Sequence, residues 1–240
     1  SFSIEIKPVD ENQTESHLIQ VLSINDQKMA QLDDGIIKTL LSLEELEFIN
    51  DAIESISLKT FSKLVNLIKL KLSKNPLKSL DLNVIIHLDR LEVLDLTENS
   101  LESISLDLGN ITHNMREIHL DNNKLTSLSN FRSFPKLNTI SLKNNLFRVI
   151  SNKTFTNLSN LENLYLSFNR ISFIEPYTFL SLVNLKSLFF ENNDLLLIDE
   201  SYFAGLSNLN LITFGIMKSL YFVVVDSLNL KFELRAEFLY

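Results

Sequence analysis

One spacing recurs through almost the whole chain. Residues 161–171 read LENLYLSFNRI, with apolar side chains at the first, fourth, sixth and eleventh places and Asn169 at the ninth. The same spacing begins at residues 67, 91, 115, 137 and 185. Residues 43–53 fit it with Asp51 in the asparagine's place, and residues 19–29 are a looser copy with Gln27 there. A last start falls at Leu209, and successive starts lie 24 residues apart except for one step of 22, from 115 to 137. A unit this short cannot bury its own apolar face, so it must stack on its neighbours. The 240 residues therefore read as one solenoid, with about nine units over 19–214.

Within each unit the fourth and sixth residues, such as Leu94/Leu96, Leu142 at the sixth place of its unit and Leu164/Leu166, alternate with polar ones. Period two predicts a short strand with one face inward, and stacked units predict a parallel sheet. Nine strands at about 4.8 Å each span roughly 40 Å. The ninth place holds Asn75, Asn99, Asn123, Asn145, Asn169 and Asn193. An amide carries donors and an acceptor, so at the turn leaving each strand it can bond backbone groups of its own coil and the next. These six are read as a structural ladder, not as ligand contacts. In the return half, the fourteenth place is Ile or Leu, and the nineteenth is Phe61, Phe155, Phe179 and Phe203. A stack of phenylalanines behind the sheet would fill the wider, convex side.

The ends depart from the pattern. Phe2, Ile4 and Ile6 alternate like a strand ahead of a polar loop, so residues 1–18 read as an N-terminal cap. Residues 215–240 read as a C-terminal cap or an interface segment, with Leu228, Leu230, Phe232 and Leu234 alternating like a final strand. An uncapped apolar end makes homo- or hetero-oligomerisation through this segment one expectation. A net charge of -8 disfavours nucleic acid and anionic membranes as partners. No apolar run approaches the roughly 20 residues that span a bilayer. The absence of cysteine excludes disulfides, thiol nucleophiles and thiolate metal sites. The chain starts at Ser1, for which a removed leader and a trimmed chain are equally good accounts. Sequons at Asn12, Asn110, Asn152 and Asn157 are glycosylation candidates compatible with secretion.

The string LxxLxLxxNxL, followed by a nineteenth-place Phe and LxxL, resembles the 24-residue typical leucine-rich repeats. These occur in Toll-like receptors, small leucine-rich proteoglycans, Slit-type guidance proteins and insect secreted immune proteins. Residues 154–161, TFTNLSNL, are a close match, and the likeness covers roughly 19–214. It implies an α/β solenoid, a horseshoe with a parallel concave sheet and an irregular or short-helical convex side. It also implies an extracellular setting and the binding of a protein or glycoconjugate. The chain departs from the pattern in lacking cysteine-rich caps and a proline after the fourteenth place.

Nothing in the sequence has the form of a catalytic site. His113 and His119 flank a strand start, but no third ligand accompanies them, so no metal site is expected. The four glycines are scattered, no Gly-rich phosphate loop or G-x-S-x-G occurs, and no cofactor is expected. Recognition is the better reading. At the fifth places Glu47, Lys71 and Asp95 alternate in sign, a self-neutralising face, whereas Tyr165 and Phe189 follow further along. With His119, Asp121, Lys143, Asn163, Phe168 and Glu191 they form the expected partner-binding cluster, because exposed aromatics on a rigid sheet dominate binding energy. The function expected is a non-enzymatic, secreted recognition module, plausible in innate immunity. The alternatives are an intracellular scaffold and an adhesion or matrix protein that self-associates through its C-terminal end.

Overall fold

The computed structural model describes residues 20–214, except 34, 36, 38, 39 and 130, together with the backbone of 221 and 222. Nine short strands lie side by side in chain order and pair in parallel. They are Val21–Asn25, Glu45–Ile49, Lys69–Lys71, Val93–Asp95, Glu117–His119, Thr139–Ser141, Asn163–Tyr165, Ser187–Phe189 and Leu211–Thr213. The register is one repeat per strand, so Leu70 lies against Leu94, Leu94 against Ile118 and Ile140 against Leu164. Identical places therefore stack into rows, and Leu94, Leu142 and Leu166 lie in one continuous buried core. Helix is scarce: the convex side has two 3-10 turns, Leu82–Ile85 and Glu200–Phe203, among the described residues. No helix among them is long and apolar enough to cross a membrane.

The 22-residue unit leaves the sheet intact, since Ile118 still pairs with Ile140. The two missing residues come out of the convex arc. Phe131, which the shortened unit moves out of the nineteenth place, stacks on Phe155 at 6.3 Å, and Phe155 stacks on Phe179 at 5.9 Å. This corrects the expected membership of the phenylalanine stack. Phe61 is buried without being part of this run, and Phe203 meets Phe214 edge-on at 6.4 Å. At Gly205 the backbone adopts φ +89°, and a Cβ there would collide with the Leu180 carbonyl. Only glycine fits so close an approach.

A second set of two- and three-residue strands lines one flank of the coils. Its outward thirteenth places are Gln31, Ser55, Ser79 and Ser103 in the N-terminal coils, then Val149, Phe173 and Leu197. The last three are exposed, and Val149 lies in register beside Phe173. The flank continues past residue 214, where Tyr221–Phe222 pairs with Leu197–Ile198. The expected N-terminal strand, the Asn12 sequon and the alternation at 228–234 lie outside the described residues.

Candidate ligand-binding surface

The turn that leaves each concave strand is held by the ninth-place asparagines. Asn123 Nδ2 donates to the carbonyls of Leu96 (3.0 Å), Leu120 (3.0 Å) and Asp121 (3.2 Å), while its Oδ1 accepts from Leu101 N (2.9 Å). Asn145, Asn169 and Asn193 repeat this with one-coil offsets. The carbonyls of Leu72, Leu96, Leu120, Leu142 and Leu166 each accept from two successive asparagines, which makes the ladder continuous. Asn75 adds a fork, with Oδ1 accepting from both Asp51 N and Ile53 N. Asn99 is the exception, because its buried Oδ1 has no partner. All six side chains are buried and engaged with backbone, so none faces a ligand.

Asp51 occupies the ladder place of its coil without an amide. It is fully buried, its Oδ1 accepts from Gln27 N at 2.7 Å, and its Oδ2 has no partner. Burial pushes its carboxyl above the usual range and the Asp26 charge adds to this, against the bond from Gln27 N, which pulls it down.

Immediately before the ladder residue, the backbone turns left-handed. Asp26, Asn50, Lys74, Glu98, Asn122, Asn144, Phe168 and Asn192 all have φ between 53° and 61°. Asparagine suits such a place, and a bulky side chain does not. Phe168 is therefore an unfavourable residue locally, and it stands 52% exposed. A strained, exposed aromatic beside a sheet is the kind of feature that functional sites retain.

The concave wall divides in two. In the N-terminal half the charges pair across strands: Lys69 with Glu45 (3.7 Å) and Glu47 (3.8 Å), Lys71 with Asp95 (4.0 Å), and Lys74 with Glu98 (3.9 Å). Such exposed pairs contribute less than about 1 kcal/mol each, but they neutralise the face. In the C-terminal half, Tyr165 and Phe189 stack with centroids 4.6 Å apart and planes within 5°, and Lys143 Nζ lies 4.3 Å from the Tyr165 centroid. That spacing matches the distance between strands, so the rings stand upright on the sheet, one per strand. Two carboxylates brace the wall on either side. Asp121 Oδ1 accepts from Ser141 Oγ (2.6 Å) and Lys143 N (2.8 Å), while Glu191 accepts from the hydroxyls of Ser167 and Thr213. Phe168 N donates to the Glu191 carbonyl at 2.8 Å, tying the turn to this cluster.

Of the expected cluster, Lys143, Tyr165 and Phe189 are thus in contact, and Asp121, Phe168 and Glu191 adjoin them. Asn163 heads the same strand as Tyr165, two residues away on the same face. His119 stands one strand beyond Ser141 and pairs with Glu117 at 3.2 Å, so it sits at the margin. His113 is on the other side of the wall, buried, with Nδ1 accepting from Met115 N at 3.2 Å. Burial pushes its imidazole below the usual range. No group of three potential ligands among the described residues could hold a metal. Asn110, Asn152 and Asn157 are exposed on the convex arc, away from the concave sheet.

Sequence reasoning missed the hydroxyls of Ser141, Ser167 and Thr213, which orient the carboxylates. It also missed a second asparagine row at the strand entrances. Asn66, Asn114, Asn160, Asn184 and Asn208 each donate to the carbonyl 25 residues earlier, at 2.8–3.0 Å. Its signal was present as an asparagine immediately before five unit starts.

The leucine rich repeat family model matches residues 17–77, 113–171 and 159–214, and the chain belongs to this family. Its members generally act as protein-binding modules rather than enzymes. Among solved structures, the Toll-like receptor TLR13 in complex with the single-stranded RNA ssRNA13 is similar, with 28% identity and a TM-score of 0.76. The match covers 85% of this chain but only 29% of that receptor. Internalin C2 of Listeria monocytogenes is 26% identical with a TM-score of 0.60, covering 82% of this chain and 80% of that one. Human 5T4, the trophoblast glycoprotein, shares the fold at 18% identity and a TM-score of 0.65, with 85% and 77% covered. No curated protein sequence is significantly similar to the chain.

Proposed function

We propose that this chain is a non-enzymatic, extracellular recognition module that binds a protein ligand on the C-terminal half of its concave sheet, in a setting such as innate immunity. The observation carrying this is the Lys143–Tyr165–Phe189 stack beside the strained and exposed Phe168. Aromatic side chains on a rigid sheet supply contact area at little entropic cost. The convex position of the three described sequons supports an extracellular setting, because glycans there would leave the sheet accessible. TLR13 is recorded with RNA. A net charge of -8 and the carboxylates beside this stack favour protein over nucleic acid here.

The test is ligand capture from extracellular fluid on immobilised protein, compared with the Tyr165→Ala/Phe189→Ala double variant and Phe168→Asn. The double variant should lose the ligand while its melting temperature changes little. Phe168→Asn should weaken capture yet gain about 1 kcal/mol of stability, as the left-handed residue is relieved. Capture unchanged in both variants, or by RNA alone, would sink the proposal.

Self-association is the second reading, favoured by the exposed flank row Val149, Phe173 and Leu197. Light scattering should then report a dimer for the unmodified chain and a monomer for Phe173→Glu. A monomer at every concentration disposes of this reading.

A further inference from the structure

Among the described residues the upright stack on the concave wall ends at Phe189. Lys143 covers the Tyr165 face toward Thr139–Ser141, and Phe189 covers the face toward Ser187–Phe189. Neither Tyr165 face is open. Phe189 has one face on Tyr165, and its other face looks toward the next strand, where its register partner is Thr213. Thr213 is short, and among the described residues no other ring stacks on Phe189. The next place in a row built at one ring per strand is therefore a slot one strand wide. It has an aromatic wall and a threonine floor.

The slot also has a charge. Glu191 Oε1 accepts from Thr213 Oγ1, which places the carboxylate at the floor, and its Oε2 accepts from Ser167 Oγ. Hydroxyl donors orient this carboxylate without neutralising it. No ion pair links Glu191 to any described residue, unlike Glu45, Glu47, Asp95, Glu98 and Glu162 elsewhere on the coils. Lys143 is at the far end of the stack, two rings away, and does not enter the slot.

On the reading that this cluster is the recognition surface, we infer that the ligand's anchor is an arginine side chain. Its guanidinium plane continues the stack on the open face of Phe189 above Thr213, and its edge donates to Glu191. A guanidinium is the side-chain group that is both flat enough to stack and a forked donor to a carboxylate. Lysine supplies charge without a plane. A phenylalanine or a sugar ring would cover Phe189 and leave Glu191 buried without a counter-charge, which is costly.

The experiment is selection of a random peptide display library on the intact protein, with parallel selections on Tyr165→Ala and Glu191→Gln. Gln is isosteric: its carbonyl oxygen accepts from one of the two hydroxyls and its NH2 donates to the oxygen of the other, whose own proton can rotate away, so Glu191→Gln should fold normally. Peptides that need Tyr165 should be enriched in arginine, and that enrichment should vanish on Glu191→Gln. Replacing the arginine of a recovered peptide by lysine should weaken binding by about tenfold or more. Tyr165-dependent peptides enriched in aromatic residues instead, or indifferent to Glu191→Gln, overturn the arginine inference while leaving the recognition surface standing. If no recovered peptide depends on Tyr165, the recognition surface itself is wrong.

Discussion

Asn123→Ala should lower unfolding stability by about 3 kcal/mol, and Asn99→Ala should cost clearly less. Both remove a buried amide whose nitrogen donates to carbonyls of its own coil and the preceding one. Those carbonyls keep a second donor, because the ladder serves most of them twice. The two variants differ at the oxygen. Asn123 Oδ1 accepts from Leu101 N at 2.9 Å, a buried donor with nowhere else to turn, whereas Asn99 Oδ1 accepts nothing. An orphaned buried N–H costs about 1–3 kcal/mol beyond the bond itself, so the asymmetry should dominate the difference. Urea midpoints at constant slope measure it. Equal losses in the two variants would mean that the ladder acts through packing and not through hydrogen bonds.

Periodicity makes the backbone legible. A residue recurring every 24 places must recur at one point of the coil, so spacing alone locates the leucine core, the sheet register and the asparagine turns. Features that depend on rotamer or local dihedral escape it. Tyr165 and Phe189 are recognisable as cross-strand neighbours, but whether their rings present faces or edges is a χ1 matter that spacing leaves open. Phe168 is visible as a turn aromatic. Its left-handed backbone emerges only beside Asn50, Asn122, Asn144 and Asn192 at the same place. Phe131 escapes for the opposite reason: counting from the unit start fails where two residues are missing from the arc. The row Asn66, Asn114, Asn160, Asn184, Asn208 is legible and easily passed over, because an asparagine before a unit's first apolar residue resembles an ordinary loop residue until its bond is seen.

Asp51→Asn should stabilise the protein by about 1–3 kcal/mol at pH 7, and the gain should shrink as pH falls toward the ordinary carboxylate value of 3.8. Asp51 Oδ1 accepts from Gln27 N as Asn75 Oδ1 accepts from Asp51 N, so its partnerless Oδ2 takes the place of the ladder's amide nitrogen. For Asn75 the accepting carbonyls are those of Phe48, Leu72 and Ser73. One coil earlier the equivalent carbonyls belong to Ile24, Phe48 and Ile49, and an ionised carboxylate offers them no proton. The raised carboxyl pKa means that the folded chain binds a proton more tightly than the unfolded one. Stability from this group is fully present below the unfolded value and is lost as pH rises through the folded one. A neutral amide donates at every pH, so the variant lacks that slope. Denaturation midpoints of both proteins between pH 3.5 and 8 decide the matter, that range being about wide enough to bracket the titration. A constant difference across it would mean that the fold leaves the Asp51 carboxyl unshifted, and a difference that grows as pH falls would show that Asp51 stays ionised in the fold, held by Gln27 N rather than by a proton.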